Sequence, residues 1–521
     1  MWIMLMLPVV VVFIGQLLAG CRSANVLYIS GVASPSHFLW SQRLFEHLAR
    51  LGHNMTVVNL YKHGLVRDVH LIKLDGVAEA LAAEEEDYIE FGQMNSFETL
   101  MSFSELELFV CELSIKSEGF KTLFSYPKEF QFDLVVHDHL AGPCLLVLLT
   151  RFDNPPLVMA SAFNGLSTTV SALGSPMFPG FIPNQVNDVD SPMSFFQRSY
   201  NFLLFAWEIA SKAFIYKPQL DELIKSQLNL THSTASLERQ TLLVILNSNP
   251  VLERAEPKLP NVVQAGGLHI MPPKNLPAHI LNAINGSSNG AIFFSLGTNA
   301  RSDHLSNTIL CNIITAMERL PSLLFLWKVE HEDRLPMKLP GNVLTAPWFP
   351  QNDLLAHSKL RLFITHGGLL SEQEAAWHGV PMLGLPIYAD QFDNVNQMVR
   401  KGVARRLEIR ALSAQQMVDC IEDLLTNESY KNNAARLSKL LQDQKEHPLE
   451  LAAWSIEWVL RNVNSSELWN RSLHQYGFFE KHSFDVVIFF AFGSSAVVLL
   501  LVLLLYKILL LREAFSKMKT D

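Results

Sequence analysis

The sequence predicts an α/β protein of two halves, each a parallel sheet wrapped by helices, followed by one membrane-spanning helix at the C-terminus. Three observations carry this. Short apolar runs alternate with stretches of helical periodicity along most of the chain, the rhythm of βαβ units. Residues 486–506 carry no charged side chain, and as a helix they span about 31 Å, the thickness of a bilayer core. The chain has 521 residues, 49% hydrophobic and 17% charged, enough for two large cores with apolar residues left over. Its mean hydropathy of +0.18 is high for a protein with no membrane segment.

Composition also excludes. Plentiful aromatic and branched aliphatic residues exclude disorder as the main state. The formal net charge of −9 argues against nucleic acid as a partner, since no basic stripe is present to contact phosphates. Five cysteines are too few and too scattered for a disulfide scaffold, and no CxxC pair points to zinc. Disulfide pairing is left open.

Taken in order, residues 1–23 read as a signal peptide: an apolar run, then small residues around a cleavage point near 20–24. An uncleaved anchor is the alternative. The N-terminal half, 24–250, opens with the apolar run 25–30, a Gly/Ser/Pro loop 31–36, and then Phe38, Leu39, Leu44, Phe45, Leu48 and Leu51 at helical spacing. Gly52-His53 ends that helix and 55–60 is the next strand, completing a βαβ unit. Residues 132–136 and 157–160 read as later strands of the same sheet. Glu84-Glu85-Glu86-Asp87, in a polar helical stretch, reads as a solvated face. The apolar stretch 195–215 is interrupted by Gln197, Arg198, Asn201, Glu208 and Lys212. It is no clean membrane span. It predicts a helical excursion that lines an apolar site or lies against a membrane.

The C-terminal half, 251–470, repeats the rhythm. Residues 242–246 form an apolar run and 257–260 read as a linker. A strand over 291–296 ends in Gly297-Thr298; 323–329 and 362–365 are further strands, and 380–385 another. A linker 471–485, the span 486–506 and a basic tail 507–521 close the chain. Lys507, Arg512, Lys517 and Lys519 place that tail in the cytosol and the rest in a lumen or outside. Sequons at Asn54, Asn229, Asn285, Asn427, Asn464 and Asn470 fit that side. Lysines third and fifth from the end resemble the dilysine retrieval signal of endoplasmic reticulum membrane proteins; an ordinary basic membrane-flanking tail is the alternative.

Candidate chemistry gathers where strands end, because an open parallel sheet binds ligands beyond its carboxyl ends. His366-Gly367-Gly368 follows a strand at a helix start, where glycines let amides approach an anion and the helix end favours negative charge. Glu374, on that helix, can accept from two ribose hydroxyls. Trp348 offers a flat ring for a base and Gln351 an amide for its edge, while Asp390 and Gln391 offer partners for sugar hydroxyls. In the first half, His37 ends the first βα loop and suits removal of a hydroxyl proton. Asp138 follows the strand 132–136 and is the natural partner to fix its tautomer. His137 and His139 flank Asp138, but no third metal ligand is visible. His53, His63 and His70 are assigned no catalytic role.

The segment 348–391 reads WFPQNDLLAHSKLRLFITHGGLLSEQEAAWHGVPMLGLPIYADQ. It resembles the donor-binding signature of the UDP-glycosyltransferase family, which includes animal UDP-glucuronosyltransferases and insect UDP-glucosyltransferases. FSLGT at 294–298, SxSHFLW around His37 and FDLVVHD ending at Asp138 extend the resemblance over nearly the whole chain. It implies a GT-B architecture, two Rossmann-like domains facing a cleft, plus the C-terminal transmembrane helix. It implies Trp348 on uracil, Gln351 on the nucleoside and Glu374 on the ribose. His366, Gly368, Ser295, Gly297 and Thr298 are assigned to the diphosphate, and Asp390 and Gln391 to the sugar. It supports His37 as base and Asp138 as its partner, in an inverting transfer to a hydroxyl of a small lipophilic acceptor. UDP-sugar is a co-substrate, and no cofactor or metal is expected. The resemblance implies an endoplasmic reticulum, single-pass type I protein in contact with membrane lipid; homo-oligomerisation is left open.

Two departures bear on the donor. Leu370-Ser371 stands where vertebrate members commonly have Asn-Gly, a form that looks like insect members. Glu256 stands where vertebrate glucuronosyl enzymes often carry Arg, and like-charge repulsion there disfavours glucuronate, although Arg254 and Lys258 are close enough to compensate. UDP-glucose is therefore favoured over UDP-glucuronate. A catalytically silent membrane protein that binds nucleotide-sugar or lipid is the second reading. An NAD-dependent oxidoreductase is disfavoured, because no GxGxxG follows the first strand.

Overall fold

A computed structural model describes residues 23–32, 34–61, 68–83, 93–165, 167–190, 192–464 and 475–518. The leader 1–22, the acidic run 84–87, His63, Asn470 and Lys519 lie outside the described residues.

The strands fall into two sheets. The first is built from β1 (Asn25–Ser30), β2 (Asn54–Asn59), β3 (Val69–Lys73), β4 (Leu134–Asp138), β5 (Leu157–Ser161), β6 (Thr241–Leu246) and β7 (Val262–Gln264), in the order β3-β2-β1-β4-β5-β6-β7. The second is built from β8 (Ala291–Ser295), β9 (Leu324–Lys328), β10 (Val343–Ala346), β11 (Leu360–Thr365), β12 (Met382–Gly384) and β13 (Ala404–Arg406), in the order β10-β9-β8-β11-β12-β13. All neighbours run parallel. Helices cover both faces, so the central strands are buried on both sides and read as unbroken apolar runs; β4, β5, β6 and β8 are buried at every residue.

Strand order reverses direction between β1 and β4 in one sheet and between β8 and β11 in the other. Connections leave to opposite faces at such a point and open a crevice beyond the strand ends. The register places Ile29 beside His137, and Thr365 beside Ser295. His37 and Asp138 therefore share one crevice, and His366 and Gly297 share the other.

Six helices matter for the site. They are α1 (Pro35–Arg50), α2 (Ser96–Lys116), α3 (Phe195–Ser211), α4 (Leu369–His378), α5 (Pro448–Asn462) and α6 (Phe484–Met518). α2 and α3 start at capping boxes, Asn95 with Glu98 and Ser194 with Gln197, which satisfy amides that have no partner inside the helix. α4 stops at Gly379, whose φ of +69° closes the last turn. Within α6, Phe484–Leu511 is long and apolar enough to cross a membrane. The stretch 195–215 is α3 and the start of a π-turn over Lys212–Tyr216. Glu208 and Lys212 face the interdomain cleft, while Phe196 on the same helix is 82% exposed.

The structure draws the division between halves differently from residue 250. β7 pairs with β6, so the first sheet continues past the 257–260 segment to Gln264. α5 then returns from the second half: its Leu449, Ala452, Ile456 and Val459 are buried with Val26, Phe38 and Leu44 of the first. The apolar face of α5 needs a partner, and α1 and the β6–β7 edge provide it. His53 is likewise structural: it accepts from Ala24 N–H at 3.3 Å and faces Glu457 at 3.4 Å.

The pairing left open by the sequence is a disulfide between Cys111 on α2 and Cys144 after β4, residues 33 apart. It pins α2 over the β4 end, beside Asp138. Closing a loop of that size stabilises by about 2–4 kcal/mol, mainly by restricting the unfolded chain. Reduction, or Cys144→Ser, is expected to lower the melting temperature of the protein by several degrees. An unchanged melt with and without reductant would refute that contribution.

Candidate active site

The crevices of the two sheets face each other across a cleft of about 800 Å³. His37, Ser295, Gly297, Thr298, Trp348, Gln351, His366, Gly368, Glu374, Asp390 and Gln391 all line it. Asp138 stands behind His37 and is fully buried. Ser34 and Asn299 join the halves across the cleft at 3.2–3.3 Å. Gln373 does so beneath it, donating to Asn247 O at 3.0 Å and accepting from Gly267 N–H at 3.1 Å.

On the first side, Pro35 starts α1 and places His37 in its first turn, with its ring 5.0 Å from that of Phe163. His37 Nδ1 faces Asp138 Oδ2 at 3.8 Å. That is longer than a hydrogen bond, but both atoms are buried and neither has another hydrogen-bond partner. Asp138 Oδ1 accepts from Leu140 N–H at 3.3 Å, which fixes the carboxylate at the strand end. His137 and His139 are buried neutral bases: burial pushes each down to about 3, aided at His139 by the charges of Lys212 and Lys217. Among the described residues no cluster of three ligating side chains forms around them.

On the second side, His366 lies between two glycines. A Cβ at Gly297 would come within 2.5 Å of His366 Cε1, and one at Gly368 within 2.5 Å of His366 Nε2. Gly297 also has φ +86°. These glycines thus admit the imidazole, beyond giving a ligand access to amides. Burial, with Lys328 nearby, pushes His366 down to about 4, so it is neutral, and its Nδ1 has no partner. The first N–H groups of α4 open beside it, Gly368 being the residue before the helix.

Gln351 donates to Glu374 Oε2 at 2.8 Å and to Ser371 Oγ at 3.0 Å. Ser371, one of the departures from the vertebrate pattern, therefore joins the Gln351–Glu374 network. Burial raises Glu374 to about 7, against the Gln351 hydrogen bond. Trp348 is 58% exposed, a free ring at the cleft mouth. Burial raises Asp390 to about 6, opposed by the Asn394 amide at 2.8 Å and by His37 across the cleft. Gln391 spends its carbonyl oxygen on the Ile387 and Tyr388 N–H groups at 2.9 and 3.2 Å, holding the loop that presents Asp390.

Sequence reasoning missed His269. It lines the cleft, donates from Nε2 to Leu370 O at 3.2 Å and lies 3.7 Å from Glu374. The loop after β7 carries it, and that strand is too short to be read in advance. The two compensating cations are already engaged. Lys258 pairs with Glu256 at 2.7 Å, and Arg254 with Asp393 at 2.5 Å and Asp190 at 3.8 Å.

A family model described as UDP-glucoronosyl and UDP-glucosyl transferase matches residues 33–519. The chain belongs to this UDP-glycosyltransferase family. Among its relatives, the UDP-glucuronosyltransferase 2C1 of Oryctolagus cuniculus is 30% identical over 87% of this chain and 92% of its own. The UDP-glycosyltransferase UGT5 of Dactylopius coccus is 28% identical over 86% of this chain and 85% of its own. Solved structures share the GT-B fold of this UDP-glycosyltransferase: CalG4, the calicheamicin glycosyltransferase, with TM-score 0.54, 16% identity and coverage of 85% and 99%. A UDP-glucose:anthocyanidin 3-O-glucosyltransferase in complex with UDP gives 0.53, 16%, 86% and 100%.

Gly297→Ala adds a Cβ at a left-handed φ and against His366, and is expected to destabilise by about 1–3 kcal/mol. Gly286→Ala, where nothing lies within 4 Å, is the control. Equal denaturation midpoints for the two variants would show that His366 is not held this way.

Proposed function

We propose that this UDP-glycosyltransferase moves a hexosyl group, glucose in preference to glucuronic acid, from a UDP-sugar to a hydroxyl of a small lipophilic acceptor. One observation carries the reading: a buried His37–Asp138 pair and the Trp348–Gln351–Glu374–His366–Asp390 set open on one cleft from opposite halves. Trp348 stacks on uracil, and Gln351 and Glu374 hold the nucleoside. Ser295, Gly297, Thr298, His366 and Gly368 surround the diphosphate, and Asp390 and Gln391 the sugar.

Asp138 orients His37, which takes the proton of the acceptor hydroxyl. The oxygen attacks the anomeric carbon as the bond to the β-phosphate oxygen breaks, and UDP leaves. A single displacement turns an α-linked donor into a β-linked product. N–H and hydroxyl groups fixed in advance stabilise the leaving diphosphate. Consistent with the family resemblance, no step requires a metal or cofactor.

Glucose is favoured because Arg254 and Lys258 face three carboxylates, Asp190, Asp393 and Glu256, which leaves a hexuronate carboxylate without net positive charge. The apolar helix, the disulfide and the sequons support an endoplasmic reticulum membrane location with the cleft on the lumenal side.

His37→Ala is expected to lower kcat by about 10²–10⁴-fold with UDP-sugar binding unchanged. Retained turnover would overturn the assignment. Product masses from membranes given UDP-glucose, UDP-glucuronate and UDP-galactose identify the sugar, and exclusive glucuronate transfer would reverse the preference. The pH dependence follows from Glu374, raised to about 7. A ribose diol donates to the ionised carboxylate, so UDP binding pulls off its proton. Affinity should fall as pH drops below about 7, with proton release near neutrality, by calorimetry in buffers of differing ionisation heat. Glu374→Gln should abolish the release.

A further inference from the structure

Beyond the donor set and the His37–Asp138 pair, the cleft contains a charged group that the reaction above does not use. Lys212 and Glu107 both line it. Lys212 Nζ lies 3.9 Å from Glu107 Oε1, with the side chains only 23% and 16% exposed. That gap is too long for a hydrogen bond; Glu208 and Glu238 add negative charge around the same ammonium. Both side chains are half-buried in the cleft wall, so a group that enters the cleft can reach the ammonium and the carboxylate together.

The surroundings hold the pair in place. Lys212 begins the single π-turn that follows α3, whose extra residue shifts the side chains that follow relative to those before it. Glu107 comes from α2, which Cys111 ties to Cys144. Its second oxygen abuts Tyr216: a Cβ at Gly142 would lie 2.8 Å from Tyr216 Oη and 3.0 Å from Glu107 Oε2. Burial raises the Glu107 pKa, against the pull of Lys212 and of Tyr216. The α2 side chains Leu100, Phe103 and Val110 give the adjoining cleft wall an apolar surface.

Resting on the proposed acceptor role of this cleft, we propose that Lys212 and Glu107 form a second polar subsite that binds a neutral hydroxyl of the acceptor, remote from the hydroxyl that reacts at His37. One hydroxyl oxygen fits the demand of both groups: it accepts from the ammonium and donates to the carboxylate. The preferred acceptors are therefore lipophiles with two hydroxyl groups separated by an apolar body.

The test compares matched acceptor pairs, such as para-hydroxybiphenyl and its symmetrical diol, with the full-length protein in membranes. The wild type should prefer the diol of at least one pair. Lys212→Met should lower the diol-to-monophenol ratio of kcat/KM by about 10-fold or more, as expected for a hydrogen bond to a charged group. Glu107→Gln, which keeps the side-chain size, gives the same comparison if Lys212→Met does not fold. Turnover with no diol preference in any pair overturns the subsite. So does an equal loss for both members of each pair, the mark of a purely structural ion pair. Absence of transfer from any UDP-sugar to any acceptor instead sinks the transferase reading on which the subsite rests.

Discussion

Where a parallel strand ends, its last carbonyls and the first amides of the next helix point into open space unless another element covers them. Between β1 and β4, and between β8 and β11, connections leave to opposite faces and nothing does. The two halves set these uncovered ends against each other, and the chemistry of the molecule depends on that. His37 and Asp138 come from neighbouring strand ends in one sheet; Ser295, Gly297, His366 and Gly368 come from neighbouring strand ends in the other. His37 is far from Asp138 in sequence, and residues 295–297 are far from 366–368; strand register brings each pair of segments together.

Holding the halves at that spacing falls to contacts away from the cleft. α5 starts in the second half and buries Leu449, Ile456 and Val459 in the core of the first. Burial of such side chains contributes about 1.5–3 kcal/mol each, far more than the surface ion pairs that also cross, such as Arg406 with Asp188 at 2.7 Å. Gln373 adds two buried hydrogen bonds under the cleft floor. The cleft width is therefore set mainly by apolar packing, and the ion pairs fix register at the rim.

The legible and illegible parts of this fold differ by burial. β1, β4, β5, β6, β8 and β11 are inner strands, almost wholly buried, and their apolar runs are plain in the sequence. β3, β7, β10 and β13 are short and half-exposed, carry mixed residues, and escape detection. Missing β7 moved the boundary between halves and hid His269, which hangs from the loop after it. The residues proposed to hold the donor were legible because one contiguous segment carries most of them. The Cys111–Cys144 bond, the return of α5 and the Lys212–Glu107 pair each join distant segments that no local pattern links.

The electrostatics of the cleft wall built by the second half follow from which charges are already paired. Lys328 is bonded to Glu330, Lys258 to Glu256 and Arg254 to Asp393. His366 is neutral, and Glu374 and Asp390 are held toward their protonated forms by burial. The cleft beside His366 is thus close to uncharged, and in the proposed reaction it meets a diphosphate with dipoles: the opening amides of α4 and the hydroxyls after β8. A site of fixed dipoles binds the diphosphate less tightly than a cluster of ammonium groups would. It also gains more when charge moves onto the leaving oxygen, because its dipoles need no reorganisation. In the proposed reaction that difference favours bond breaking over retention of UDP, and it lets a site with so few unpaired cations turn over.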